Sequence, residues 1–126
     1  MADEGVNHWP VEPIPDADAL LKRIHRKLVQ ADGTVMSGAF ANREMSVDWS
    51  KYSTPSETQA RGGHPGDNAV VRMAVADVRQ IPGQTVEHAP DWERRNRSHS
   101  HVVGRKNAEA KFKLRHAAEI VLPLSH

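Results

Sequence analysis

The sequence predicts a small α+β domain: a mixed or antiparallel sheet of about five short strands with a C-terminal amphipathic helix packed on it. Three observations carry this prediction. Ser98 to Val103 alternates as a strand, with His99, His101 and Val103 on one face and Ser98, Ser100 and Val102 on the other. Gly104 then breaks the pattern. Asn107 stands as an N-cap before Ala110, Leu114, Ala117, Ala118 and Val121, one apolar stripe of a helix that Pro123 ends by Leu122. Earlier in the chain, Asp32-Gly33 between Val29 and Val35 has the chemistry of a hairpin turn.

Taken in order, Met1 to Pro15 carries Asp3, Glu4, Glu12 and prolines at 10, 13 and 15, and reads as a flexible, extended arm ahead of a domain over 16–126. Trp9 offers the arm an anchor, on its own domain or on a protein partner. Over 16–30, Asp16 and Asp18 suit a short helical start, followed by a strand into the turn and a return strand from Thr34 to Phe40. Lys22, Arg23, His25, Arg26 and Lys27 read as a solvated sheet edge guarded by charge. In Met45 to Ser53, Val47 and Trp49 alternate with Ser46, Asp48 and Ser50, so Trp49 is expected inside and Asp48 among polar neighbours. Asp48 is the carboxylate best placed for chemistry; the alternative is a turn cap.

Thr54-Pro55-Ser56-Glu57 forms a capping box with proline at the first helical position, opening a short helix that stops by Gly62-Gly63. The loop RGGHPGDN lacks the Gly-Lys-Ser/Thr ending of a nucleotide-binding loop. Ala69 to Val75 reads as a buried strand and Ala76 to Ile81 as one or two helical turns, with a continuous helix as the competitor. Pro82-Gly83 breaks the chain before a short strand at Thr85 to His88. Arg94, Arg95 and Arg97 then crowd a polar loop beside Trp92, which is either a stacking surface or a ring over the core edge.

Composition sets bounds on function. With 126 residues there is one modest core, and a formal net charge of +1 gives no global attraction for nucleic acid. The absence of cysteine excludes disulfides, thiolate metal sites and a cysteine nucleophile. No apolar run reaches membrane-spanning length and no basic-apolar leader opens the chain, so a cytoplasmic protein without membrane contact is expected.

The candidate site lies in the last third. His99 and His101 can hold one metal ion with a third ligand from His64, His88 or Asp48, or act as base and acid on a phosphodiester with Arg97 or Arg105 for the transition-state charge. Arg97, Arg105, Lys106 and Lys113, with Lys111 and Arg115, make the turn and helix locally basic against Glu109 and Glu119. A polar sheet face and a solvated helix face are the plain alternatives. Cupin, amidohydrolase, serine-hydrolase and RNA-recognition signatures are missing.

The succession KRIH, ADGTVMSGAF, MSVDWSKYSTPSET, RQIPGQTV and NRSHSHVVGRK resembles a group of small bacterial proteins with no known activity, over roughly Leu20 to Val121. In that group the last stretch reads N-P-A-H-A-x-V-x-G-x-K. Arg97 stands here where proline is usual, His99 matches the group's histidine, and His101 falls on a variable position. The resemblance implies one bacterial cytoplasmic domain and no mechanism. The function expected is therefore a small binding or accessory module for an anionic partner, nucleic acid or nucleotide, contacted through the basic turn and helix. The alternative is a phosphodiesterase or metal hydrolase centred on His99 and His101.

Overall fold

A computed structural model of the chain describes residues 9–124. Within them lies one antiparallel sheet of six strands: β1 (Ala19–His25), β2 (Glu44–Trp49), β3 (Asn68–Ala74), β4 (Thr85–His88), β5 (His99–Val103) and β6 (Glu119–Leu122), in the spatial order β4-β5-β2-β1-β3-β6. Three short helices accompany it: α1 (Pro55–Ala60), α2 (Val75–Arg79) and α3 (Ala108–Ala117). No helix among the described residues is long and apolar enough to cross a membrane.

The sheet separates two environments, because alternate side chains of a strand point to opposite faces. Leu20 and Ile24 of β1, Met45, Val47 and Trp49 of β2, Val71 and Met73 of β3 and Val102 of β5 share the core face. Phe40, Val75, Val78, Ala110 and Leu114 close over it from the connections and helices. At roughly 25 cal/mol per Å² of apolar surface removed from water, this layer is the main driving force for folding. Lys22 interrupts it. It pairs with Val71 on the core side, and burial, followed by the neighbouring Arg23 charge, pushes its ammonium pKa down.

Several local expectations hold. The Thr54 hydroxyl accepts from the Glu57 amide at 3.2 Å while the Glu57 carboxylate accepts from the Thr54 amide at 2.9 Å, which starts α1 as a complete capping box. The strand-then-helix reading of 69–81 is the one the chain adopts, and Trp49 is buried.

Other expectations give way to tertiary contacts. Asp16 and Asp18 start no helix: Asp18 accepts the Trp49 indole N–H at 2.8 Å and Asp16 pairs with Arg79 at 2.6 Å. β1, read from its charges as an edge, is central, with β2 on one side and β3 along its whole length on the other. The Asp32-Gly33 turn forms, with Gly33 at φ 89°, yet the hairpin is a single bridge from Val29 to Val35. Ser37–Phe40 follows as a 3-10 turn that drives Phe40 into the core, in place of a return strand. Asn107 caps α3 as expected, its side chain accepting from the Ala110 amide at 2.8 Å. The helix ends at Ala117 rather than near Leu122, because Glu119–Leu122 pairs with the open edge of β3 and becomes the sixth strand.

The arm reading divides at the first described residue. Residues 1–8 lie outside the described residues; from Trp9 onward the segment is docked on its own domain. Trp9 meets Trp92 edge to face at 4.6 Å between ring centres, and Ile14 is buried. The Glu12 carboxylate takes Tyr52 Oη at 2.6 Å and Lys51 Nζ at 3.1 Å.

Candidate functional site: a cleft where two central strands part

On the face opposite the core, β1 and β2 pair only at Leu20 with Trp49 and at Leu21 with Asp48. The register would next set Lys22 against Val47 and then Arg23 against Ser46, and neither pair forms. The two central strands part there, and their separation opens a cleft of about 560 Å³. Its walls come from four segments: Arg23 of β1, Ser46 and Asp48 of β2, Thr58 and Arg61 from α1 and its C-cap, and Asp91, Arg94 and Asn96 of the loop before β5. His99 borders it from β5, directly across the strand pair from Asp48.

Asp48 organises this cleft. It is 4% exposed, and both carboxylate oxygens are engaged. Oδ2 accepts from Thr58 Oγ1 at 2.8 Å and from an Arg61 nitrogen at 2.9 Å, and Oδ1 accepts from Asn96 Nδ2 at 3.0 Å. The same Arg61 nitrogen also donates to Ser53 Oγ at 2.7 Å. Asn96 Oδ1 in turn accepts from the Ser98 amide and hydroxyl. One carboxylate therefore ties β2, α1 and the 89–98 loop together. It neither caps a turn nor offers a free oxygen to a reacting group. A buried charge survives folding only with such a set of partners.

The cations are differently placed. Arg23 donates to the Thr58 carbonyl at 2.8 Å and has no carboxylate partner among the described residues. Arg94 is largely exposed, and among the described residues its guanidinium has only a long contact of 3.9 Å to Asp91. Two guanidiniums with charge to spare thus stand on the cleft wall, a setting suited to an anion.

His99 and His101 share one face, as the alternation predicts, with ring centres 4.7 Å apart. They do different things. His99 Nδ1 lies 2.9 Å from the Ala89 carbonyl, which can only accept, so Nδ1 carries the proton and Nε2 keeps its lone pair. Among the described residues no hydrogen bond engages that Nε2. His101 has Nε2 at 3.7 Å from Glu44, and its pKa is lowered, first by burial and then by the His99 charge. Both rings also border a second, shallower pocket of about 400 Å³, made with Ala89, Pro90, Trp92 and Glu93.

The proposed third metal ligands do not converge on this pair. Asp48 has both oxygens engaged by three donors, and His88 faces the core side beside Trp49. No group of three or more His, Cys, Asp or Glu able to hold a metal ion occurs among the described residues.

The basic turn and helix are equally dispersed. Lys106 is 9% exposed and points inward, its ammonium donating to the carbonyls of Gly104 at 2.7 Å and of Arg43 and Val102 at 3.1 Å. Burial, then Arg43, lowers its pKa to about 8. Expected as an anion ligand, Lys106 instead has its three donors engaged by main chain. Lys113 pairs with Glu109 at 3.2 Å one helical turn away, and Arg105 is exposed. Arg97 lies over the Tyr52 ring at 4.3 Å and near Glu12 at 3.5 Å, remote in role from the histidine pair.

Sequence reasoning singled out Asp48 and His99 but missed Arg23, Thr58, Arg61, Arg94 and Asn96 as their companions. The available signal was the polar face of Ser46, Asp48 and Ser50, which needs partners once Trp49 is buried. Nothing local names those partners. Comparison with known proteins adds none: no family model, no curated protein and no solved structure matches the chain.

Proposed function

We propose that the protein is a small cytoplasmic binding module whose cleft takes a phosphate-bearing ligand of nucleotide size. The observation that carries this reading is the parting of β1 and β2, which opens about 560 Å³ beside Arg23 and Arg94. That volume is typical of small-ligand sites, roughly 300–1,000 Å³. The two guanidiniums supply charge-assisted donors, and His99 Nε2 supplies an acceptor. The anionic partner expected from sequence is retained, while its contact surface moves from the turn and helix to the cleft. The resemblance to the small bacterial group adds no activity to this reading.

Calorimetric titration with inorganic phosphate, pyrophosphate and nucleoside monophosphates tests it. Wild-type protein should bind at least one of them, and the Arg23→Gln, Arg94→Gln double variant should bind it tenfold or more weakly. Equal affinities would remove the cleft from consideration.

A hydrolytic reading keeps one specific observation in its favour, the anchored His99 tautomer. Its free Nε2 is arranged to take a proton from water as that water's oxygen attacks phosphorus, with Arg23 and Arg94 available for the developing charge and solvent protonating the leaving alkoxide. Phosphodiester cleavage that survives His99→Ala would end this reading without touching the binding one.

A further inference from the structure

We propose that the described part of the N-terminal arm is a proton-sensitive latch, held by His88 and controlling access to Trp92 beside the cleft. The geometry assigns His88 its protonation state. Nδ1 accepts the Glu12 amide N–H at 3.0 Å, and Nε2 lies 2.7 Å from the Arg97 carbonyl, to which it must donate. Only the neutral ring protonated on Nε2 satisfies both contacts. A second proton on Nδ1 would set N–H against N–H in a site where His88 is 4% exposed.

The surroundings fix the direction of the response. From the arm, His88 faces the Glu12 amide; from the segment after β2, the Tyr52 ring stacks on it, with Lys51 over that same Tyr52 ring; from the loop before β5, the Arg97 carbonyl; from β2 the Trp49 ring packs edge to face, and Ser100 is its cross-strand neighbour. Glu12 stays ionised through the range in which histidines titrate. The Tyr52 hydrogen bond first, and the Lys51 bond next, hold its carboxyl below the usual range. The carboxylate clamp on Tyr52, Lys51 and Arg97 is therefore constant, and the imidazole is the variable contact. A proton on Nδ1 removes the acceptor for the Glu12 amide, so docking weakens when the ring is protonated.

The consequence reaches the candidate site through Trp9. Its ring lies against Trp92, which borders the second pocket with His99 and His101. Release of the arm uncovers that side of Trp92 and enlarges the surface next to the cleft. This consequence rests on the binding reading above; the latch itself does not.

The test follows the full-length protein by NMR from about pH 8 to about pH 5, reading the Glu12 amide, 5-fluorotryptophan at Trp9 and the His88 ring nitrogens. The expected result is one shared midpoint for all three signals. The His88→Asn variant, whose side-chain oxygen can accept the Glu12 amide at any pH, should show no arm transition. The double variant His99→Ala, His101→Ala should keep it. Protonation of wild-type His88 with the Glu12 and Trp9 signals unmoved would overturn the latch, even if His88→Asn fails to fold. So would an arm transition that persists in a folded His88→Asn protein. A phosphate titration at both pH values reads the cleft separately: no binding at either pH defeats the binding reading and leaves the latch standing.

Discussion

The cleft and the basic turn with its helix both gather cations and make opposite use of them. Between Gly104 and Arg115 the cations are adjacent in sequence, yet Lys106 turns inward onto three carbonyls and Lys113 closes on Glu109. In the cleft, Arg23, Arg61 and Arg94 come from segments tens of residues apart and line one cavity, with Arg61 on its buried carboxylate. Density along the chain is therefore a poor guide to convergence in space. What gathers charge here is the sheet, which brings β1, β2 and β5 side by side and then leaves β1 and β2 unpaired past Leu21.

The largest effect should come from the group that holds the cleft together. Asp48→Ala leaves Arg61, Thr58 and Asn96 facing an empty position and should destabilise the fold by about 3–5 kcal/mol in urea titration. A cost near that of an ordinary surface change would show that the three contacts are incidental. Lys106→Met strands the carbonyls of Arg43, Val102 and Gly104 and should cost about 1–3 kcal/mol, with no change in phosphate affinity.

The same lysine predicts a pH dependence. Its folded pKa of about 8 lies below the unfolded value, near 10.4. Between these limits the unfolded chain holds the proton more tightly, so the wild-type protein gains stability as pH rises through that window. The Met variant should lack this gain, and identical slopes for the two proteins would contradict it.

Charge exchange sharpens the comparison further. Arg23→Gln with Arg94→Gln should weaken phosphate binding about tenfold, roughly 1.4 kcal/mol. Arg105→Glu with Lys113→Glu should change it less than about twofold, as expected of solvated charges. The smallest change is at the start of α1. Thr54→Ala removes one half of the capping box and should cost about 1 kcal/mol of stability, with a slight loss of affinity because α1 delivers Thr58 and Arg61 to Asp48.

How much of this was legible follows from how local each feature is. The capping box at Thr54 and Glu57 and the Asn107 cap involve residues three apart, and the chain alone specifies them. The alternation around Asp48 and His99 showed which face each would take. β6 was not legible, because Glu119–Leu122 continues an apolar helical stripe until the open edge of β3 offers it a ladder. The charged run Lys22 to Lys27 suggested an edge, whereas Leu20, Leu21 and Ile24 bury β1 at the centre. The cleft was illegible for the same reason: its partners to Asp48 lie 10, 13 and 48 residues away. In the arm the prolines suggest mobility, while Glu12, Ile14 and Trp9 each find a site on the domain, as one of the two expectations for Trp9 had it.

The most direct test of location is residue-resolved NMR of the full-length protein titrated with inorganic phosphate and then with a nucleoside monophosphate. The cleft reading predicts saturable shifts at Arg23, Ser46, Asp48, Arg94 and His99, with 104–115 unmoved at moderate salt. Shifts confined to Arg105 through Arg115, with the cleft silent, would contradict it and return the anionic partner to the turn and helix.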